Sequence, residues 1–142
     1  MIASILAGKG TTVVTVAPDT TLTEAARLLT ERRIGAVAVV DPEGGLAGIL
    51  SERDIVRAIA AQGEGALKAP ASSAMTAKVV TAEPGDRIDA ALARMSDRRI
   101  RHLPVVEGGK LVGFVSIGDL VKAQIDMALA EADAMRAYIA TG

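Results

Sequence analysis

The chain has 142 residues, half of them apolar, with 16 basic against 17 acidic side chains and a formal net charge of −1. That is enough for one compact domain with a real core and too little for two ordinary ones, and the near-neutral balance excludes the broad basic footprint of a nucleic-acid binder. The absence of cysteine removes disulfide and thiolate chemistry, and one Phe, one Tyr and no Trp leave little ring surface for stacking on single-stranded nucleic acid.

Residues 1–11 (MIASILAGKGT) predict a lead-in of helix or loop. They lack the long apolar stretch and cleavage site of a secretory signal, and no later apolar run approaches the roughly 20 residues that span a bilayer. A soluble, cytoplasmic protein without membrane contact is expected. GKGTT at Gly8–Thr12 glances at a phosphate-binding loop, but it lacks the upstream glycine spacing and precedes a strand instead of joining strand to helix.

From residue 12 to 62 the pattern reads strand, helix, strand, strand, helix. Val13–Val16 is a β-branched segment, and Leu22, Ala25, Ala26 and Leu29 then share one helical face. Thr21 and Glu24 stand at capping-box spacing before that helix. Ala36–Val40 and Leu46–Leu50 flank DPEGG as a hairpin, and Ser51 opens a closing helix. Residues 63–74, rich in Gly, Ala and Ser, read as a linker.

Residues 75–122 repeat the series. Val79–Thr81 is the first strand; Ile88, Ala91, Leu92 and Met95 form the helical face; Leu103–Val106 and Leu111–Val115 flank EGG; Ser116 opens the last helix. Pro18 pairs with Pro84 at an offset of 84 − 18 = 66, as do Leu22 with Ile88 and Ile34 with Ile100. Past the hairpin the offset is 113 − 48 = 65, pairing Gly48 with Gly113, Ser51 with Ser116 and Asp54 with Asp119. One residue was gained or lost in the loop, where a hairpin tolerates it. One copy buries little alone, so the register predicts an α+β fold of two pseudo-symmetric β-α-β-β-α repeats packed sheet to sheet. The two would share one core and leave two equivalent clefts.

The closing helix runs on as a helical extension over 123–142. Val121, Ile125, Leu129, Ala132, Met135 and Ile139 recur along one face, which must cover either its own domain or a second chain.

GILSERDIV and GFVSIGDLV, RIGAVAVV and RIRHLPVV, and the Pro-containing helix starts VAPDTTLTEA and AEPGDRIDA together resemble a tandem pair of CBS domains, the Bateman module, over about Val13 to Val121. A single G-h-h-S-x-x-D is weak; two in register, each after a hairpin, are specific. The resemblance implies binding of adenosine-containing ligands such as AMP, ADP, ATP, and sometimes NAD or S-adenosylmethionine, a regulatory role without catalysis, and pairing as a homodimer.

Carried over by position, the first cleft combines Ser51, Arg53 and Asp54 with Val79, Val80, Ile100, Arg101 and His102. The second combines Ser116, Gly118 and Asp119 with Val13, Val14, Ile34, Gly35 and Ala36. A carboxylate at Asp54 or Asp119 can accept from both hydroxyls of a ribose cis-diol, and the serine hydroxyl with the free N–H groups of the helix start suits a phosphate oxygen. Ser-x-x-Asp before an apolar run is equally a capping box that needs no ligand, and alone that reading comes first. Repetition and the resemblance reverse the order. Arg101 and His102 stand where the first copy has Gly35 and Ala36, so the Asp54 cleft is expected to take the more strongly phosphorylated nucleotide and the Asp119 cleft, lined by small residues, something weaker, something bulkier or nothing.

No second histidine or cysteine accompanies His102 for zinc, and Phe114 stands where a nucleophile elbow needs glycine. A non-enzymatic nucleotide sensor acting on a protein target in trans is therefore the leading expectation. A constitutive dimeric adaptor with no ligand is the alternative.

Overall fold

The computed structural model describes residues 1–9 and 13–141; Gly10–Thr12, within the GKGTT segment, lie outside it. Its elements in chain order are helix α1 (Ile2–Lys9), strand β1 (Thr15–Val16), α2 (Leu22–Arg32), β2 (Ala36–Val40), β3 (Leu46–Ser51) and α3 (Glu52–Gln62). A 3-10 turn (Gly63–Lys68), α4 (Ala71–Ala74), α5 (Ile88–Arg98), β4 (His102–Glu107), β5 (Lys110–Ser116) and α6 (Ile117–Thr141) complete the chain. The fold is α+β, with the expected repeat.

In the first half β1 runs parallel to β2, and β2 pairs antiparallel with β3. In the second half β4 and β5 pair in the same way, with a bulge between Val105 and Val106 that matches the one between Val39 and Val40. The expected strand Val79–Thr81 does not form. Its place is held by a single parallel bridge from Ala82 to Val105, the counterpart of Val16 on Val39. Pro104 is the reason. The next rung would pair Thr81 with Pro104, as Thr15 pairs with Ala38 in the first half, and it needs an N–H from residue 104, which proline lacks.

Helices α2 and α5 bury the predicted faces, Leu22, Ala25 and Leu29 in one and Ile88, Ala91 and Met95 in the other. Both end on arginine in the left-handed conformation, Arg33 at φ 54° and Arg99 at φ 53°. Each cap N–H bonds back to the last turn, Arg33 to the Leu29 and Thr30 carbonyls and Arg99 to those of Met95 and Ser96. Glycine usually fills this position because it meets no Cβ penalty there.

The buried side chains fall into two cores rather than one shared core. Val37, Val39 and Leu50 pack with α2 and α3 in the first; Leu103, Val105 and Val115 pack with α5, Leu120 and Ile2 in the second. Successive strand residues point to opposite faces. Ala36, Ala38 and Pro104 are accordingly buried without belonging to either core, on the sheet faces that the two halves turn toward each other. Small residues there permit close approach, and a Cβ on Gly35 would lie 3.7 Å from the His102 ring across the divide.

The stretch read as a linker is folded. Ala66 and Ala71 are fully buried in the first core, so its alanines are packing residues rather than solvated spacers. The Ala71 and Ser72 N–H groups donate to the Thr20 and Pro18 carbonyls at 2.7 and 3.0 Å. Likewise the Ile2 and Ala3 N–H groups donate to the Asp86 and Pro84 carbonyls, both at 2.9 Å. Helices α1 and α4 are thus equivalent, and each docks on the half that it does not immediately precede. The glycines of the two G-h-h-S motifs make room for them. A Cβ on Gly48 would meet the Thr76 carbonyl oxygen at 2.6 Å and the Met75 sulfur at 2.7 Å, and one on Gly113 would collide with the Leu6 side chain.

Candidate functional site

Ser51 ends β3 in extended conformation (φ −109°, ψ 165°) and caps α3. Its hydroxyl accepts from the Asp54 N–H at 3.2 Å, while Asp54 Oδ2 accepts from the Ser51 N–H at 2.9 Å and from the Ser51 hydroxyl at 3.0 Å. Asp54 Oδ1 faces Arg57 of the same helix at 3.6 Å, and the Asp54 side chain is only 10% exposed. The second copy repeats the box. Asp119 Oδ2 accepts from the Ser116 N–H at 2.9 Å, and the Asp119 N–H donates to the Ser116 hydroxyl at 3.1 Å. The capping chemistry is therefore present at both positions.

Both boxes also open onto cavities. The first, of about 510 Å³, brings together Ser51, Arg53 and Asp54 from one half with Val79, Val80, Ile100, Arg101 and His102 from the other, all eight positions expected of it. The second, of about 450 Å³, gathers Ser116 and Asp119 with Val13, Val14, Ile34, Gly35 and Ala36. Both volumes suit small-molecule sites, which run from roughly 300 to 1,000 Å³. Gly118 is not among the residues lining the second cleft. It is the second residue of α6, beside the Ser116 hydroxyl, so it shapes the helix start rather than the wall.

The two clefts are less separate than expected, since Gly35, Ala36, His102 and Ser116 line both. The second cleft is not merely a pocket of small residues. Phe114 lines it and stacks on His102 with ring centroids 5.6 Å apart, and Lys9 and Arg33 stand in its wall. Lys9 Nζ donates to Asp119 Oδ2 at 2.7 Å and to the Phe114 carbonyl at 3.1 Å. The first cleft adds Glu52, Thr76, Lys78 and Arg99 to the expected set. A signal for the two lysines was available. Docked alike, Leu6 corresponds to Met75 and Lys9 to Lys78 at an offset of 78 − 9 = 69, a register hidden by the three extra residues before Val13.

Electrostatics follow from this geometry. Burial pushes the Asp119 carboxyl up, but the Lys9 and Ser116 hydrogen bonds and the Lys9 charge outweigh it and hold the group below the usual carboxylate range. For His102, burial together with the Arg101 and Lys9 charges depresses the imidazole pKa, against the opposing pull of Asp119 and Glu52. His102 is thus neutral near pH 7, facing cavities ringed with fixed cations.

The sequence pattern of the CBS domain matches residues 10–61 and again residues 71–126. The chain belongs to the CBS-domain family. A mitochondrial CBS domain-containing protein of Arabidopsis thaliana is 37% identical over 128 residues, which cover 87% of this chain and 62% of the plant protein. This CBS pair therefore spans less than two thirds of that relative. The crystal structure of a CBS-domain-containing protein from Agrobacterium tumefaciens superposes with a TM-score of 0.82 at 45% identity, covering 87% of this chain and 92% of that one. The CBS domain pair of protein MJ0100, crystallised with 5′-methylthioadenosine and S-adenosyl-L-methionine, gives a TM-score of 0.77 at 28% identity over 89% of this chain and 96% of that one.

Proposed function

We propose that this CBS pair is a regulatory module that binds adenosine-containing small molecules in its two clefts and signals to a protein partner in trans. The observation that carries the reading is the repeated placement of a capping-box carboxylate in the wall of a cavity rimmed by cations. Asp54 Oδ2 is held by Ser51, which fixes the carboxylate and leaves Oδ1, 3.6 Å from Arg57, for the hydroxyls of a ribose. Val79, Val80 and Ile100 supply apolar walls for the base, Arg101, with Lys78 and Arg99, offers charge to phosphates, and the neutral His102 offers a ring N–H. The MJ0100 complexes support the adenosine class; the ligands favoured here are AMP, ADP or ATP, or NAD through its adenosine half. With a carboxylate bound to its own helix and no catalytic constellation at either cleft among the described residues, we read the role as regulatory rather than catalytic.

Helix α6 supports a homodimer. Beyond Leu120 it covers little of its own domain, and Val121, Ile125, Leu129, Met135 and Ile139 all stand exposed, so the first of the two expectations for this helix is not met. We infer that a second copy covers the stripe. Among the described residues no helix is long and apolar enough to cross a membrane. The cysteine-free sequence suits a reducing compartment, and we place the protein in the cytoplasm.

A second reading, a constitutive dimeric adaptor, draws on the fact that Asp54 and Asp119 already cap helices. Thermal melting of the full chain with a panel of adenosine, AMP, ADP, ATP and NAD separates the two. A ligand specific to the folded state at one hundred times its Kd adds about 2.7 kcal/mol, which raises Tm, whereas the adaptor melts at one temperature throughout.

A further inference from the structure

The contact that sets the two clefts apart is the one between Lys9 and Asp119. Helix α1 is fixed on the second half by the buried Ile2 and by two backbone hydrogen bonds, and its last residue reaches into the second cleft. There the ammonium bonds Asp119 Oδ2 at 2.7 Å and the Phe114 carbonyl at 3.1 Å. Its counterpart Lys78 lines the first cleft, where among the described residues no carboxylate pairs with it; Asp54 is paired to Arg57 of its own helix instead. Two equivalent lysines thus stand in two states, one engaged and one disengaged. The Lys9 side chain is 43% exposed and that of Asp119 27%, so the ammonium can leave the carboxylate for an anion in the same cavity at little cost.

We propose that Lys9 sets the specificity of the second cleft for phosphorylated over neutral adenosine ligands. This rests on the nucleotide-binding reading above. Lys9 holds Oδ2, so a ribose cis-diol that spans both oxygens of Asp119 competes with the Lys9 ammonium for that oxygen. A neutral nucleoside leaves that ammonium only the Phe114 carbonyl, whereas a nucleotide offers it a charged phosphate oxygen. The ion pair therefore penalises one ligand class and is exchanged for an equal or better one by the other, which is discrimination by an unpaired charge. Arg33 and His102 border the same cavity and keep the surroundings favourable to an anion.

The test uses the full chain with the first cleft silenced by Asp54→Asn, and compares adenosine with AMP by calorimetry before and after Lys9→Met. With Lys9 present, AMP binds about tenfold more tightly than adenosine. With methionine, adenosine gains about threefold, because Asp119 is free, and the preference for AMP shrinks toward parity. An unchanged ratio, or an adenosine affinity that does not rise, overturns the role of Lys9 while leaving nucleotide binding intact. Binding of neither ligand, with Asp54 present or replaced, overturns the functional reading and this proposal with it.

Discussion

Asp54 accepts two hydrogen bonds from Ser51, one from its N–H and one from its hydroxyl, through a single carboxylate oxygen. One residue therefore has two separable tasks, tying off α3 and offering its other oxygen to the cleft. Asp54→Asn keeps an acceptor for the Ser51 N–H and should cost under about 1 kcal/mol of stability, while Asp54→Ala loses the cap and should cost about 1–2 kcal/mol. Both should abolish adenylate binding in the first cleft. Denaturant unfolding beside calorimetric titration checks this, and an Asn variant that binds AMP as the native chain does would contradict the ribose role.

His102 should make nucleotide binding depend on pH. Its folded-state pKa lies below the ordinary value of about 6.5, so the unfolded chain takes up the proton more readily. Stability is then full above that value and falls as the pH drops through the depressed one. Asp119 adds a second loss at lower pH, through its own depressed value. A phosphate beside His102 reverses the first effect by favouring the imidazolium. AMP affinity should rise a few-fold between pH 7.5 and 6, with proton uptake measurable by calorimetry in buffers of different ionisation enthalpy. Adenosine should show neither.

Arg99 carries a backbone cost for a place at the first cleft. At φ 53° an L side chain is strained, and Arg99→Gly should stabilise the free protein by about 1 kcal/mol, or raise Tm by about 4 °C. The same change removes a cation from the cleft wall and should weaken AMP binding several-fold. A variant that is more stable and binds as well would show that the strained arginine has no part in recognition.

The exposed stripe of α6 predicts dimerisation. Sedimentation should give a dimer at micromolar concentration, and Ile125→Glu with Leu129→Glu should give a folded monomer, since both side chains stand clear of their own core. A native chain that is monomeric at that concentration would remove the second copy from the account.

The sequence was most informative where apolar periodicity and the repeat coincided. The faces of α2 and α5 and both hairpins were legible in register, and the eight positions that line the first cavity came from the family resemblance that the repeat carries. It was least informative where backbone chemistry overrode propensity: Val79–Thr81 looks like a strand, but the missing N–H of Pro104 reduces it to one bridge. The alanines of 63–74 read as spacers because small residues suit linkers and tight packing alike, and only the fold shows Ala66 and Ala71 buried. Lys9 escaped because its equivalence with Lys78 lies in a different offset from the rest of the repeat, and no local pattern brings it to Asp119, 110 residues away.

The central claim is that the repeated carboxylates receive the sugar of an adenosine ligand, and carboxyl carbon NMR during titration with AMP tests it at the atoms concerned. The Asp54 resonance should move with saturable dose dependence, followed at higher concentration by that of Asp119 as Lys9 is displaced. If saturating AMP, ATP and NAD all leave both resonances where they were, the clefts are not nucleotide sites and the two aspartates serve only their helices.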